Sequence, residues 1–195
     1  MSILTGKEIQ VRVADGSIRV EPFEPQNCGP NSLDLRLHKD LMVYKNVIGM
    51  VPAFKGPVTG DPDGPLLDMR EDNPTVTLEI PEEGLVLMPG ILYLARTVEL
   101  LGSDHYVPIV EGRSSVGRLG IQVHVTAGFC DLGFYGSVTL EMTVVHPVRV
   151  YPGERVCQVY WTQPVGEIEL YQGRYQGQVA PTSSKMFLGD LNLDK

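Results

Sequence analysis

The 195-residue chain lacks several features that would define its class at once. Its three cysteines, Cys28, Cys130 and Cys157, are too few and too widely spaced for a disulfide framework or a CxxC pair. No apolar run approaches the roughly 20 residues of a membrane span, and the first residues do not form the apolar core of a signal peptide. We therefore expect a cytoplasmic protein with reduced thiols and no membrane association.

Positive charge is also scarce. The chain has 16 Lys and Arg residues against 24 Asp and Glu residues, and its net charge of −8 argues against binding a nucleic acid polymer. Its four histidines, His38, His105, His124 and His146, lack the short spacings of a zinc site. We expect no metal site built from protein ligands alone, and any phosphate-binding site must be local.

Glycine and proline, in contrast, are abundant. The 21 glycines and 15 prolines fall between short apolar runs, which predicts a mainly β fold with a meander or jelly-roll layout. One short N-terminal helix is predicted, because Thr5 and Glu8 have capping-box spacing and Asp15-Gly16 forms a stop. The predicted strands cover residues 32–37, 41–44, 75–80, 84–87, 91–97, 121–127, 137–145, 148–151 and 156–161.

The chain length predicts a single domain over residues 1–195. Two segments interrupt the strand pattern. Residues 52–74 are rich in Pro, Gly and Asp, and they are predicted to form a long loop that serves as linkage. The tail over residues 171–195 is polar and Gly-rich, so we expect it to be either frayed or ordered over a ligand or a neighbouring subunit.

The densest cluster of functional residue types is EGRSSVGRLG at 111–120. Gly112 and Gly117 have the spacing of a Walker loop, but Arg118-Leu119 stands where Lys and Ser or Thr are required. A nucleophile elbow around Ser114 fails as well, because Val116 replaces its second glycine. The small residues and the forked donors of Arg113 and Arg118 suit phosphate, and a surface turn with solvated arginines is the alternative.

Polar residues continue downstream of this cluster. In the predicted strand 121–127, Gln122, His124 and Thr126 share one face, so His124 is either a catalytic residue or a hydrogen-bonded strand histidine. Asp131 precedes the turn at 133–136, and Glu141 lies in the next predicted strand. The local pattern leaves open whether Glu141 is a general base or a solvated strand carboxylate.

Taken in order, the motifs identify a family. EGRSSVGRLG at 111–120, HVTAG at 124–128, DLGFYG at 131–136 and TLE at 139–141 are joined by NSLDLRL at 31–37, YQGQ at 175–178 and PT at 181–182. With these motifs the chain resembles the dCTP deaminases of the trimeric dUTPase superfamily along nearly its whole length, except around residues 52–74. The resemblance implies a distorted jelly roll of the dUTPase-like β-clip type, assembled as a homotrimer with nucleotide sites at subunit interfaces.

The resemblance also implies a hydrolytic deaminase without zinc, and the HxE and PCxxC signatures of zinc deaminases are absent from the sequence. In this comparison Glu141 becomes the general base, while Ser114 and Arg118 orient the attacking water and stabilise developing charge. Asp131 contacts the deoxyribose and is the candidate activator of a second water.

The remaining implied contacts hold the nucleotide, with Mg²⁺ carried by the triphosphate rather than by a protein cage. The implied nucleotide-binding residues are Arg113, Ser114, Ser115, Val116, Gly117, Arg118, Ala127, Asp131, Thr139, Leu140, Glu141, Gln158, Tyr171, Arg174 and Gln178. Tyr171, Arg174 and Gln178 belong to the expected lid. The resemblance further implies inhibition by dTTP through the segment at 124–127.

The sequence departs from the family pattern at Cys130, Leu132, Thr143 and Arg174. At Arg174 the forked guanidinium group stands where the family usually has the point charge of a lysine. Some relatives release dUTP, whereas others hydrolyse it further to dUMP and diphosphate. The form of 114–118, Gly128 and the YQGQ motif favour the second, bifunctional type. The alternatives are an enzyme limited to dUTP hydrolysis and a nucleotide-sensing trimer without turnover.

Overall fold

The computed structural model describes residues 2–45 and 66–189. Within these ranges the chain is mainly antiparallel β-structure with one short N-terminal helix, which confirms the predicted fold class. The strands are β1 (Arg19–Glu21), β2 (Leu33–Tyr44), β3 (Thr75–Glu79), β4 (Leu85–Leu87), β5 (Tyr93–Gly102), β6 (Val107–Gly112), β7 (Ile121–Gln122), β8 (Tyr135–Val144), β9 (Val148–Val150) and β10 (Arg155–Thr162). The helices are α1 (Gly6–Ala14) and the single turn α2 (Ser114–Gly117), with 3-10 turns at Pro25–Asn27 and Met186–Leu188.

Eight strands form the main sheet, in the order β6-β10-β2-β5-β8-β7, with β1 added to β5 and β3 added to β2. Strands β4 and β9 form a separate pair. The core lies against this sheet and includes the fully buried Leu35, Tyr93, Leu140 and Trp161. Burying side chains of this size contributes about 2 kcal/mol each, so the alternating strands supply most of the stability of the fold.

The N-terminal helix begins and ends as its sequence predicts. The Thr5 hydroxyl accepts a hydrogen bond from the Glu8 amide, and the helix stops at Asp15. Ile9 is fully buried and belongs to the hydrophobic core, whereas Val11 is exposed. The helix therefore contributes to the core through Ile9 and, in part, through Val13.

Strands β5 and β8 change register at one point. Their pairing shifts between Arg96 and Leu100, and the fully buried Thr97 lies in this irregularity. The Thr97 hydroxyl accepts a hydrogen bond from the Val138 amide at 3.0 Å and donates one to the Glu99 carbonyl oxygen at 2.7 Å. The Thr97 side chain therefore takes the place of a backbone acceptor of β5 for the Val138 amide of β8.

Two local predictions differ from the structure. The strand predicted over residues 121–127 was wrong beyond Gln122, because the chain leaves β8 there and exposes Val125. Strands β1 and β6 were not predicted at all. Of the predicted loop over residues 52–74, residues 52–65 lie outside the described part of the chain, and residues 66–74 form no strand or helix. No helix in the described ranges has the length and apolar content needed to cross a membrane.

Candidate active site

A cavity of about 550 Å³ opens between β8, the segment at 125–134 and the C-terminal tail. It gathers the predicted site residues Ala127, Asp131, Thr139, Glu141, Tyr171 and Gln178. Thr139 and Glu141 alternate along β8 and therefore project from the same face of the sheet. The cavity unites residues of five sequence motifs, those at 124–128, 131–136, 139–141, 175–178 and 181–182.

Glu141 is fixed by the segment that follows β7. One oxygen of its carboxylate accepts a hydrogen bond from the Val125 amide at 3.1 Å. The same carboxylate lines the cavity, so it is neither a core residue nor a freely solvated one. This placement favours the general-base interpretation over that of a solvated strand carboxylate.

Asp131 lines the cavity where the chain turns into β8. Its neighbour Cys130 also lines the cavity, and burial raises the pKa of the Cys130 thiol to about 12. The rings of Phe134 and Tyr171 meet edge to face with centroids 6.1 Å apart. This pair forms an apolar wall beside Asp131, of a kind that suits a sugar or a pyrimidine ring.

The described part of the C-terminal tail lies over this cavity. It adds to the free edge of β8, because the Ser137 amide donates to the Gln178 carbonyl oxygen at 2.8 Å and the Gly177 amide donates to the Tyr135 carbonyl oxygen at 3.0 Å. The Tyr171 amide is bound to the Leu132 carbonyl oxygen at 2.7 Å. We call residues 171–189 the lid.

The other predicted phosphate-binding residues lie elsewhere. Ser114, Ser115, Gly117 and Arg118 are exposed on and after α2, and none of them lines the cavity. The Val116 side chain packs against the core, which anchors the turn. The single chain therefore does not bring the residues at 113–118 together with Glu141.

Arg113 and Gln158 brace the base of this turn. The Arg113 Nε pairs with an Asp34 carboxylate oxygen at 3.0 Å, and its Nη donates to the Arg155 carbonyl oxygen at 2.9 Å. The Gln158 amide accepts a hydrogen bond from the Ser32 hydroxyl and donates one to the Gly112 carbonyl oxygen. Both predicted residues thus lie beside α2 rather than in the cavity.

Two further predicted residues do not present their side chains to the cavity. Leu140 is fully buried in the core, so any contact it makes there involves its backbone. Arg174 donates to the carbonyl oxygens of Lys185 at 2.6 Å and Gly189 at 2.5 Å, so it closes a loop within the lid.

His124 is not a strand histidine, contrary to one of the two predictions made for it. Its Nε2 lies 3.6 Å from a Glu111 carboxylate oxygen, an acidic partner that sequence spacing did not reveal. Its Nδ1 is buried with no hydrogen-bond partner among the described residues. The ring packs over Gly128, where an added Cβ would lie only 2.9 Å from Nε2.

Several lining residues were not predicted. They include Tyr44 at the end of β2, Phe134, Tyr175, and residues 182–184 of the lid. The signal for Tyr175 was present, because it begins the YQGQ motif. Tyr44 carried no such signal, since it ends an ordinary apolar strand. In the structure its hydroxyl accepts a hydrogen bond from the Ser184 amide at 3.3 Å.

The acidic side chains of the cavity do not form a metal cage. Over residues 2–45 and 66–189, no group of three or more His, Cys, Asp or Glu side chains is placed to hold an ion. The cavity instead offers separate carboxylates at Asp131 and Glu141, which suits proton transfer at two points.

Comparison with known proteins decides the family. The model of the family described as dCTP deaminase-like matches residues 3–163. The chain belongs to the dCTP deaminase-like family. It is 48% identical over 175 residues to a Leptospira biflexa protein named "dCTP deaminase, dUMP-forming", a match that covers 89% of this chain and 90% of the relative. A Clostridium beijerinckii protein of the same name is 45% identical over 186 residues, covering 95% and 96% of the two chains.

A solved structure supports the fold of this dCTP deaminase-like chain. The crystal structure of 2′-deoxycytidine 5′-triphosphate deaminase from Agrobacterium tumefaciens superposes with a TM-score of 0.60 at 22% sequence identity. The match covers 83% of this chain, which spans about half, 48%, of the length of that one. At this identity the likeness shows the shared fold.

Proposed function

We propose that the protein deaminates dCTP to dUTP and ammonia and then hydrolyses dUTP to dUMP and diphosphate. The observation that carries this proposal is the cavity that holds Glu141, Thr139, Asp131 and the lid together. The names of the relatives from L. biflexa and C. beijerinckii, which specify dUMP formation, support the second step.

In the proposed deamination, Glu141 removes a proton from a water molecule as the water oxygen attacks C4 of the cytosine ring. Glu141 passes this proton to N3 of the ring, the proton of the new C4 hydroxyl moves to the exocyclic nitrogen, the C4–N4 bond breaks, and ammonia leaves while the C4 carbonyl of uracil, with its N3–H, forms. The hydrogen bond from the Val125 amide holds the Glu141 carboxylate in the cavity for this role.

In the proposed hydrolysis, Asp131 activates a second water that attacks the α-phosphorus. The bond from the α-phosphorus to the oxygen bridging to the β-phosphorus breaks, and diphosphate leaves with its charge balanced by Mg²⁺. The metal enters on the triphosphate as part of the substrate, since phosphate oxygens are ligands that Mg²⁺ prefers. Asp131 and Glu141 are separate carboxylates of one cavity, so the two waters have different activators.

We propose that the phosphate contacts come from a second subunit of a homotrimer. Two observations support this. Arg118 and Ser114 are exposed and lie outside the cavity. Apolar side chains are also exposed, at Leu119 next to Arg118 and at Val125 and Phe129 in the lining of the cavity. A neighbouring copy that covers these side chains would carry its own residues 113–118 to the open end of the cavity.

The proposal includes regulation by dTTP through the segment at 124–127. This segment supplies both the Val125 amide that binds Glu141 and lining residues of the cavity, so a ligand that shifts it would disturb the base. Kinetics of dCTP turnover with added dTTP test this point, and an unchanged saturation curve would contradict it.

The decisive experiment incubates the purified protein with dCTP and Mg²⁺ and follows dCTP, dUTP, dUMP and ammonia together. We expect one ammonia per dCTP consumed, with dUMP and diphosphate as the final products and little free dUTP. The Glu141→Gln variant keeps the shape of the carboxylate and removes its basicity, so it should bind dCTP and lose ammonia release by roughly 10²–10⁴-fold.

The other outcomes separate the alternatives. Accumulation of dUTP would remove the hydrolytic step, and dUTP hydrolysis without ammonia from dCTP would leave a diphosphatase. Binding without any turnover would indicate a nucleotide sensor. A Glu141→Gln protein that deaminates at the wild-type rate would refute the proposed base.

A further inference from the structure

The side chain directly across the sheet from Glu141 is apolar. Strands β5 and β8 pair antiparallel, and Leu94 of β5 lies opposite Glu141 of β8 in their register. Directly opposed residues project from the same face of a sheet, with Cβ atoms about 4.5–5.5 Å apart. Both residues line the cavity. The proposed base therefore has a leucine as its immediate neighbour on the β5 side.

Leu94 is held firmly in this place. Strand β5 lies between β2 and β8, so its backbone is paired on both sides, with Met42 of β2 opposite Leu94. Leu94 is 4% exposed, and the preceding Tyr93 is fully buried in the core on the other face. A side chain on a paired strand is placed more precisely than one on a loop. Leu94 thus offers a ligand a fixed apolar surface.

The other neighbours of Glu141 in the cavity differ in chemistry. Thr139 lies two residues earlier on the same face of β8 and brings a hydroxyl. The segment after β7 brings the Val125 amide, which donates to the Glu141 carboxylate at 3.1 Å. The Val125 side chain is 56% exposed, so it provides less packing surface than Leu94. The surroundings of Glu141 are therefore polar along β8 and apolar toward β5.

The two ring positions beside C4 of cytosine differ in the same way. On one side is N3, which receives a proton from Glu141 in the proposed deamination. On the other side is C5, which carries a C–H bond and no hydrogen-bonding group. Packing the C5 edge on an apolar side chain removes apolar surface from water and leaves N3 facing the carboxylate. The arrangement around Glu141 thus matches one orientation of the ring.

We propose that Leu94 packs against the C5 edge of cytosine when C4 faces the water activated by Glu141, and that Leu94 determines which substituents are accepted at C5. The inference rests on the proposed function. Because Leu94 is fixed on a paired strand, a methyl group at C5 overpacks the position from which C4 reacts. The protein is therefore selective for cytosine over 5-methylcytosine as the base of its substrate.

The test compares kcat/KM for dCTP and for 5-methyl-dCTP, from initial rates of ammonia release. We expect the parent protein to prefer dCTP, and Leu94→Ala to lower this preference by roughly tenfold, the effect of one methyl group in an apolar pocket. Leu94→Val removes less of the side chain and should lower the preference by a smaller factor. The electronic effect of the methyl group on C4 is the same in every variant. Both substrates are measured on one sample, so a partly unfolded variant does not alter the ratio.

Leu92→Ala is the matched control. Leu92 has the same side chain and lines the same cavity, but it lies two residues before Leu94, about 7 Å further along the chain. Its truncation should leave the preference for dCTP unchanged, even where it lowers both rates. A second probe, N4-methyl-dCTP, carries its methyl group on the leaving nitrogen. Its turnover relative to dCTP, followed as dUMP, should not respond to Leu94→Ala.

Each contrary result has its own meaning. An unchanged preference in both Leu94 variants would show that the C5 edge does not meet this side chain. An equal change in Leu92→Ala would indicate a general loosening of the cavity, and a gain for N4-methyl-dCTP in Leu94→Ala would assign Leu94 to the leaving amine. These three results overturn the inference and leave the proposed function intact. Absence of ammonia from dCTP with the parent protein would remove the proposed function as well.

Discussion

Asp131 and Glu141 show how residue-level patterns identify a site when they are read together. Alternation along β8 placed Glu141 on the face of Thr139, and the structure has both in the cavity. Spacing alone did not predict that Val125 would bind Glu141 or that Glu111 would approach His124, because both contacts cross between segments whose packing is set by the tertiary fold. The motif resemblance supplied the roles, and the fold supplied the contacts.

Cys130 offers a prediction at the scale of one residue. Its pKa of about 12 keeps the thiol protonated at pH 8, where an unfolded cysteine is partly ionised. We expect Cys130 to react with a disulfide reagent roughly a thousandfold more slowly in the folded protein than in denaturant at pH 8. Because its folded pKa is raised, the folded rate should keep increasing up to about pH 12, while the unfolded rate levels off near pH 9.

Peptide mapping after timed quenching assigns the rate to Cys130 rather than to Cys28 or Cys157, whose thiols also have raised pKa values because of burial. The fully buried Cys157 serves as the internal reference for a thiol that reacts only on unfolding. Labelling of Cys130 at the unfolded rate under native conditions at pH 8 would show that the thiol is not buried as described.

At the scale of elements, the register shift in β5 supports the strand that carries the site. Thr97→Val removes the hydroxyl that binds the Val138 amide and leaves two buried backbone groups unpaired, whereas Thr97→Ser keeps the hydroxyl. We expect Thr97→Val to lower the free energy of unfolding by about 2–4 kcal/mol and Thr97→Ser by about 1 kcal/mol. Urea denaturation of the two variants and the parent measures the difference.

Equal losses in the two variants would mean that the methyl group, and not the hydroxyl, stabilises the irregularity. The comparison is informative because Thr97 is fully buried in the structure. Water therefore does not reach the Val138 amide and the Glu99 carbonyl oxygen in place of the missing hydroxyl. The two unpaired groups should lower the free energy of unfolding.

Physical properties of the strands explain why the sequence predicted some of them and not others. Strand β2 was predicted because Leu33, Leu35 and Leu37 alternate with polar residues. Strand β6 contains Pro108, which removes a backbone donor and speaks against a central strand, but β6 lies at the edge of the sheet, where proline is tolerated. The alternation over residues 121–127 misled because the chain leaves β8 after Gln122. It pairs next with β6, at residues 128–130, through the Ile109–Phe129 bridge.

At the scale of the whole molecule, the division of predicted site residues into two groups has a direct test. In the proposed trimer, Glu141 of one subunit acts with Arg118 of another. Mixed trimers refolded from inactive Glu141→Gln and Arg118→Ala chains should therefore regain activity in about a quarter of their sites. Ammonia release before and after joint refolding measures this recovery.

The matched control refolds Arg118→Ala with Ser114→Ala. Both residues lie on the same turn of one chain, so every turn in a mixed assembly carries one of the two changes and ammonia release should stay absent. Recovery in the control, or none in the test mixture, would contradict a site shared in this way. Sedimentation of the refolded samples reports whether the assemblies are trimers.

The docking of the lid on β8 has a consequence for solubility. Strand β8 pairs with β5 on one side, and with β7 on the other side only at its far end, through Thr143 and Val144. Over Tyr135 and Ser137 the second side is occupied by Gly177 and Gln178, which satisfy amide and carbonyl groups that would otherwise template another strand. The lid thus also protects the sheet against edge-to-edge aggregation.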